Sequence, residues 1–466
     1  MPNHPKPPSK PRKSTRKMDP TEGLPPLNLN AAGIDVGSAE HHVAVPGDRD
    51  AEPVQSFGSF TADLHRMARW LKDCRIQTVV MQATGVYGTA LYDVLESYGL
   101  EVNVAHAQQH TKTLPGRKTD VQECQWLQKL HTFGLLNKAF RPAEEIRVLR
   151  SYLRQRENLV AAAATCVQHM QKALTEMNIQ LANVISDISG TTGMAILRDI
   201  VQGERDSEKL ARHKHALIRA THQEIARSLE GTWRPELLFV LEQSLDLYDT
   251  YQDKIQSCDQ RIDEHLRSME AKVDPLREPM PQPTRRGKGA RPHQPRFDLR
   301  GHLYRITGVD LTQIDSIDVK IAQTVISEVG LDMSRWKTEK HFASWLGLCP
   351  DHRISGGKVL KRGTRRVINR AATALRLAAW SLIRSQSALG AKFRRLRSKL
   401  GAPKAITAMA HTLARLIYRL LKFGHQYADR GIEYYEAKYR QQQLYWVAKR
   451  AATLKMQLVP IPGVAN

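Results

Sequence analysis

The stretch AAGIDVGSAEHHVAV, residues 31–45, decides the fold of the N-terminal part of the chain. Apolar residues surround Asp35, Gly37–Ser38 predicts a turn, and His41–Val45 predicts a second strand beside the first. Strands disfavour aspartate unless its charge is used. The stretch therefore predicts a β-hairpin that carries a carboxylate, such as those that bind a divalent metal in nuclease-type sites. The alternative is an ordinary aspartate that ends a strand at a turn.

Strand and helix patterns alternate beyond this hairpin. Thr61 is a candidate cap for a helix that contains Leu64, Met67, Ala68 and Leu71. The next predicted elements are a strand at Thr78–Ala83, a helix at Gly88–Tyr98, a strand at Glu101–Ala105 and, after a Pro115–Gly116 turn, a helix at Val121–His131. This alternation predicts an α/β sheet.

Asp120 and Glu123 lie at the start of the last of these helices, where the spacing i, i+3 places them on one face. Two carboxylates on one face repel each other unless a metal ion or the preceding Arg117 and Lys118 offset their charge. Aspartate at a helix start is also an ordinary cap. Together with Asp35, however, the two side chains would surround one or two Mg²⁺ ions that orient a phosphodiester.

The rest of the chain is predicted to be mainly helical. Apolar residues recur at helical spacing over 149–177 and 238–269 and predict two long amphipathic helices. These helices would pair with each other or with a second chain as a coiled coil, or serve as ordinary core helices. Further helices are predicted at Ile317–Val329, ended by Gly330, and at Val367–Ser385 and Ala405–Phe423.

The charge of the chain indicates a polyanionic partner. The 466 residues contain 70 Lys+Arg and 47 Asp+Glu, a formal net charge of +23, and residues 352–430 hold 19 of the basic residues but one acid, Asp429. Such a block is typical of phosphate contacts in nucleic acids. The longest apolar runs are far too short to span a bilayer. The five scattered cysteines, with no CxxC pair, argue against a zinc ribbon or a disulfide framework.

A serine beside two glycines marks the C-terminal part, in Ile354–Ser355–Gly356–Gly357–Lys358. Its hydroxyl would be exposed, and the surrounding cations would assist a serine that attacks phosphorus. Nothing in the sequence identifies a base, and a glycine-rich turn in a nucleic-acid-binding loop is the alternative. The histidines show no tight metal-ligand spacing and are predicted to be surface or core residues: His41, His42, His106, His110 and His131.

Taken together, these motifs resemble a known family, the DEDD-class insertion-sequence transposases, which are bridge-RNA-guided recombinases. The matching stretches are GIDVGS (33–38), MQATGVYG (81–88), GRKTDVQECQWLQKLHTFGLL (116–136) and WLGLCPDHRISGGKVLKRGTRR (345–366). The resemblance implies an α/β plus all-α protein. It would have an RNase H-like (RuvC-like) N-terminal domain, a long helical coiled-coil middle region and a mainly helical C-terminal domain with a catalytic serine.

The resemblance also implies roles for individual residues. The four metal-binding positions fall on Asp35, Gln82, Asp120 and Glu123, and the nucleophile falls on Ser355. Gln82 departs from the usual glutamate and offsets less positive charge, whereas Glu123 only lengthens the usual aspartate. The predicted nucleic-acid contacts are Arg117, Lys118, Arg353, Lys358, Lys361, Arg362, Arg365 and Arg366.

The expected domains follow from composition and from the resemblance. They are a disordered basic tail (1–30), a RuvC-like DEDD domain (31–143), a helical coiled-coil region (144–273), a flexible basic proline-rich linker (274–300), a C-terminal transposase domain (301–430) and a helical tail (431–466). The expected activity is Mg²⁺-dependent cutting and rejoining of donor and target DNA, guided by a noncoding bridge RNA. We expect a dimer or tetramer in the prokaryotic cytoplasm, associated with the nucleoid and not with a membrane.

Two alternatives stay open at this point. The same carboxylates would also serve a Holliday-junction-resolvase-like nuclease that uses water as the nucleophile and has a structural Ser355. Gln82, by contrast, favours a non-catalytic DNA- or RNA-binding derivative of a transposase.

Overall fold

A computed structural model of the protein describes residues 23–82, 85–105, 119–136, 139–282, 294–361, 363–365, 367, 369–424, 431–457 and 459. The chain divides into two compact units, Met1–Arg141 and Pro142–Asn466. The first unit contains a mixed sheet with helices, and the second is mostly helical. None of the helices in the described ranges is long and apolar enough to cross a membrane.

The N-terminal unit is built on a five-stranded sheet with the order β3-β2-β1-β4-β5. The hairpin of β1 and β2 and its neighbour β3 are antiparallel, whereas β1, β4 and β5 run parallel. The strands span Ala31–Val36 (β1), Glu40–Ala44 (β2), Val54–Gly58 (β3), Thr78–Gln82 (β4) and Glu101–Ala105 (β5). The predicted α/β sheet is confirmed, and its order is consistent with an RNase H-like domain.

Three helices accompany this sheet in the described part of the unit: Thr61–Asp73 (α1), Gly88–Ser97 (α2) and Asp120–Thr132 (α3). The apolar residues that predicted α1 are buried, because their spacing places them on one face. The predicted cap is wrong by one position: Thr61 is the first helical residue, and Phe60 occupies the cap without a side-chain hydrogen bond. The predicted turn at Pro115–Gly116 lies outside the described residues.

Two long helices, Glu144–Glu176 (α4) and Pro235–Ser268 (α9), pack against each other in the second unit. The two helices thus pair within the chain, one of the predicted arrangements, and pairing with a second chain stays a prediction. A buried ion pair joins the helices, since Arg156 Nη2 donates to Asp259 Oδ2 at 3.2 Å. Four short helices lie between them in sequence: Leu181–Val184 (α5), Thr191–Val201 (α6), Ser207–Ala211 (α7) and His222–Ser228 (α8).

In the remaining described residues of the second unit, the regular elements are helices and one hairpin. The helices are Leu299–Thr307 (α10), Val319–Val329 (α11), Glu339–Trp345 (α12), Arg370–Ser381 (α13), Ala388–Leu400 (α14), Ala402–Phe423 (α15) and Gly431–Thr453 (α16), with 3₁₀ turns at Leu311–Gln313 and Leu382–Arg384 and a hairpin of Arg353–Ser355 (β6) and Lys358–Lys361 (β7). Gly330 ends α11 with φ +77°, as predicted. The helix predicted at Val367–Ser385 begins later, at Arg370, because Asn369 caps it by accepting from the Ala372 amide.

Candidate active site

Asp35 occupies the central strand of the N-terminal sheet. It lies directly opposite His42 on β2 and in register with Gln82 on β4. Residues paired in this way across neighbouring strands point to the same face of a sheet. The half-buried Asp35 therefore stands in a row with a half-buried imidazole on one side and the buried Gln82 amide on the other.

Helix α3 crosses this face at very short range, and Gly33 makes the approach possible. A Cβ atom on Gly33 would lie 2.3 Å from the Gln128 amide nitrogen and 2.4 Å from the Cys124 carbonyl oxygen. Any larger residue would therefore push the helix away. Since Gly33 and Asp35 share a face, the close crossing also brings the first turn of α3 towards the Asp35 carboxylate.

The far end of α3 is held by a buried polar network. Thr78 Oγ1 on β4 contacts His131 Nε2 at 2.9 Å and accepts a hydrogen bond from Asn103 Nδ2 on β5 at 3.1 Å. On the other side, the Leu27 amide donates to the Thr132 carbonyl at 2.8 Å. His131 is thus a satisfied core histidine, as predicted. Such networks rigidify the element that they join, so the C-terminal end of α3 is fixed against the sheet.

The first turn of α3 carries both helix carboxylates of the predicted site. Thr119 caps the helix by accepting from the Gln122 amide, and Asp120 and Glu123 follow in the first turn. Burial raises the pKa of the Asp35 carboxyl to about 6, and the negative charges of Glu123 and Asp120 contribute, partly opposed by His42. The three carboxylates therefore interact, although acidic residues at this position also favour the helix dipole.

The donor chemistry of this cluster fits Mg²⁺, which prefers carboxylate and amide oxygens. Burial is the main cause of the raised pKa of Asp35, and a cation would offset the further contribution from the negative charges of Glu123 and Asp120. Even so, no group of three or more His, Cys, Asp or Glu side chains in the described part of the chain is placed to hold a metal ion. The structure brings the predicted ligands to one face, but not into a finished coordination shell.

His42 is a site residue that the sequence analysis missed. Histidine spacing along the chain gave no metal signal, and both residues of the His41–His42 pair were predicted to be surface or core residues. The alternation of β2 separates them: His41 is buried, whereas His42 faces Asp35. The hairpin register, once combined with the Gly37–Ser38 turn, was the signal that would have found it.

Ser355 lies in the second unit, at the end of strand β6. It pairs with Lys358, and Gly356 and Gly357 close the hairpin with φ of +54° and +75°. Two consecutive residues with positive φ are typical of a tight hairpin turn and favour glycine. The serine is exposed, and no hydrogen-bond partner is recorded for its hydroxyl among the residues that the structure describes. The predicted glycine-rich turn and the exposed hydroxyl are both present.

The predicted nucleic-acid contacts are only partly visible. Lys358 is exposed beside Ser355, and Arg365 Nη2 donates to the Ser344 carbonyl at 3.2 Å. Side chains of Arg353 and Lys361 are not described, and the remaining predicted contacts lie outside the described residues: Arg117, Lys118, Arg362 and Arg366.

Some basic residues of the block at 352–430 form ion pairs within the protein. Arg415 and Arg419 on α15 both bind the Glu339 carboxylate, which holds its pKa below the usual range. Arg395 pairs with Glu436 at 3.4 Å. Because the block contains a single acid, these partners come from other parts of the sequence. The number of cations available to a nucleic acid is therefore smaller than the formal charge indicates.

Comparison with known protein families gives matches in the N-terminal and the C-terminal parts of the chain. Residues 32–179 match the family DEDD_Tnp_IS110, described as a transposase, and residues 310–394 match the family described as Transposase IS116/IS110/IS902. No curated protein matches the chain. The two matches support an enzyme that cuts and rejoins DNA. The chain thus carries the N-terminal and C-terminal transposase domains of the IS110 family.

Proposed function

We propose that the protein transfers DNA strands with two cooperating sites: the carboxylates around Asp35, and the hydroxyl of Ser355. Donor and target DNA are the substrates, and a noncoding bridge RNA selects them by base pairing. The observation that carries this proposal is the face of the N-terminal sheet on which Asp35 meets Gln82, Asp120 and Glu123. Burial of a carboxylate is unfavourable unless its charge is offset, so the half-buried Asp35 favours a cation at this face.

The carboxylates Asp35, Asp120 and Glu123, with the Gln82 amide oxygen, would hold Mg²⁺. The ion, when bound, supplies positive charge that stabilises the phosphodiester during displacement. The close crossing of α3 over Gly33 keeps the helix carboxylates near the strand carboxylate. Gln82 contributes an oxygen but no charge, so we expect weaker metal affinity than a fourth carboxylate would give.

Ser355 would serve as the nucleophile. Its Oγ forms a bond to phosphorus while the bond from phosphorus to the leaving DNA oxygen breaks, and the hydroxyl proton balances the charge on the leaving oxygen. Exposure at a hairpin tip suits this role, because a phosphodiester must approach the hydroxyl. Lys358, its cross-strand neighbour, would neutralise charge on the same phosphate.

If an RNA selects the DNA sequence by base pairing, the protein itself would recognise the backbone and the shape of the nucleic acids. A chain with net charge +23 and 6% aromatic residues suits phosphate contacts better than extensive base stacking. Co-purification of a discrete small RNA with the full-length protein tests this part. RNA-free protein that transfers strands at the normal site would contradict it.

Substitution of the serine tests the proposed nucleophile. We expect Ser355→Ala to abolish strand transfer together with any covalent protein–DNA product, whereas Ser398→Ala, at an exposed serine of α14, leaves both unchanged. Undiminished cutting by Ser355→Ala would instead support the resolvase-like nuclease that uses water. If Asp35→Ala and Asp120→Ala leave biological activity intact, the non-catalytic derivative is the correct reading.

A further inference from the structure

A cavity of about 390 Å³ lies in the second unit where α4, α11 and the start of α13 meet. Most of its polar lining consists of donors: Arg150, Arg154, Arg156, Lys320, Gln323 and Arg370. We name it the Gln323 cavity after the amide among them. Its volume falls in the usual range for ligand sites. Neither Asp35 nor Ser355 belongs to it.

The Gln323 side chain is the most informative feature of the cavity. Gln323 is 7% exposed, and its Nε2 atom is buried without a hydrogen-bond partner among the described residues. A buried N–H donor that lacks an acceptor is unfavourable, because its hydrogen bonds to water have been lost. An acceptor from a ligand would remove this penalty.

The charge of the lining favours an anionic ligand. Five basic side chains line the cavity against two carboxylates, Glu157 and Glu328, and one of the five, Arg156, is already paired with Asp259 outside the lining. Glu328 pairs with Arg154 at 3.2 Å, and Glu157 pairs with Arg370. Lys320 is exposed, and no ion pair is recorded for it in the described part of the chain. A positive surplus therefore remains after these pairings.

Arg150 is held in place by the end of a helix. Its Nε donates to the Ser327 carbonyl at 3.0 Å and its Nη2 donates to the Glu328 carbonyl at 3.1 Å, near the last turn of α11. Burial lowers its pKa; the Glu328 charge opposes that shift, and the like charges of Arg154 and Arg370 add to it. A bound anion would relieve this crowding of positive charge.

The start of a helix adds to the positive electrostatic potential of the cavity. Arg370 is the first residue of the 12-residue helix α13. The N-terminal end of a helix carries partial positive charge and favours anions. The cavity thus combines an unpaired amide donor, an unpaired lysine and a helix start.

We propose that the Gln323 cavity binds a phosphate group of a nucleic-acid backbone. A phosphodiester has acceptor oxygens for Gln323 and a negative charge for Lys320 and the arginines. A divalent cation does not fit, because the lining offers mainly donors and positive charge. The backbone belongs to DNA or to RNA, and both share this chemistry. The inference needs nucleic-acid binding but no catalytic role for Asp35 or Ser355.

Photocrosslinking from the cavity tests the proposal in the full chain. A benzoylphenylalanine at position 161 places the probe in the lining, since Ala161 is exposed and lies at the cavity. We expect labelled duplex DNA or labelled RNA to crosslink there, and the polymer that does so identifies the source of the phosphate. The double substitution Lys320→Gln/Gln323→Leu should reduce the yield about tenfold, the loss expected for one charged and one buried contact.

Lys254→Gln is the matched control, because it removes one exposed cation from α9 outside the cavity. It should leave the crosslink unchanged.

Pyrophosphate gives a second readout: it should raise the melting temperature of the wild type and the control, but not of the double variant. Equal crosslinking and equal pyrophosphate shifts in all three proteins would overturn the proposal. So would the absence of a crosslink to both polymers. Asp35→Asn should still crosslink at the cavity, because Asp35 does not line it. The crosslink therefore tests the cavity even if the catalytic proposal fails.

Discussion

The two proposed catalytic regions are built in opposite ways. Asp35 lies in a strand whose neighbours are buried on both sides, beneath a helix that touches the strand backbone. Ser355 ends a three-residue strand of an exposed hairpin, in which Ile354 and Leu360 are 63% and 70% exposed. A lone two-stranded hairpin is only marginally stable in water. The core fixes the carboxylates, whereas the serine would gain its final geometry on binding nucleic acid.

The largest expected effect concerns Asp35. We expect Asp35→Asn to lower the rate of strand transfer on the order of a thousandfold, because the neutral amide weakens the metal site at its centre. Asp48→Asn, at a carboxylate that is 76% exposed, should leave the rate unchanged. Timed assays of joined DNA product measure both. A loss of less than threefold in Asp35→Asn would remove the carboxylate site from the mechanism.

The second prediction tests the close packing of α3 on the strand that carries Asp35. Gly33→Ala should reduce the free energy of unfolding by about 3 kcal/mol, because its Cβ would overlap the backbone of α3. At Gly47 a Cβ would meet nothing within 4 Å, so Gly47→Ala should change stability by less than about 0.5 kcal/mol. Denaturant unfolding measures the difference. Equal stabilities would mean that α3 does not depend on the glycine.

The third prediction tests the exposed hairpin that carries Ser355. Replacing Gly356 and Gly357 by alanine should cost about 2 kcal/mol locally, because both have positive φ, although a Cβ at either would meet nothing within 4 Å. The cost should appear in the hairpin and not in global unfolding. Trypsin should therefore cut after Lys358 several-fold faster, while the denaturation midpoint stays unchanged. A lowered midpoint would show that the hairpin is part of the core.

The smallest expected effect is a pH dependence. Because the pKa of Asp35 is raised to about 6, the folded state favours the neutral carboxyl. Stability from this group is fully present below its ordinary pKa of 3.8 and is lost as pH rises through 6. In metal-free buffer, Asp35→Asn should add about 1 kcal/mol at pH 7, after allowance for solvent screening, and nothing at pH 4. Asp48→Asn should add nothing at either pH.

Four of the five strands of the N-terminal sheet could be predicted from sequence, because β-branched and apolar residues recur in short runs. Strand β3, Val54–Gly58, was missed, since Gln55 and Ser56 interrupt its apolar pattern. Asp35 stood out as a charge among apolar strand residues, whereas Asp120 and Glu123 stood out because their i, i+3 spacing places both on one face of a helix start. The row formed by Asp35 with His42 depends on strand register, which single-residue patterns do not encode.

Features that depend on distant parts of the chain escaped prediction. The α14 helix was missed because five basic residues interrupt its apolar pattern, and its buried positions, such as Phe393, are identified by their contacts with other helices. The pairing of Arg415 and Arg419 with Glu339 links residues about 80 positions apart. The Gln323 cavity likewise requires three helices whose sequences carry no common motif.

The central claim is that both regions act on one DNA linkage, and trapping the covalent product tests it most directly. The full-length protein would be incubated with its RNA and a nicked DNA substrate that prevents religation, then digested and sequenced by mass spectrometry. We predict a nucleotide attached to the peptide that contains Ser355, abolished equally by Ser355→Ala and by Asp35→Asn. Efficient cleavage with no adduct, or an adduct that persists in either variant, would contradict the account.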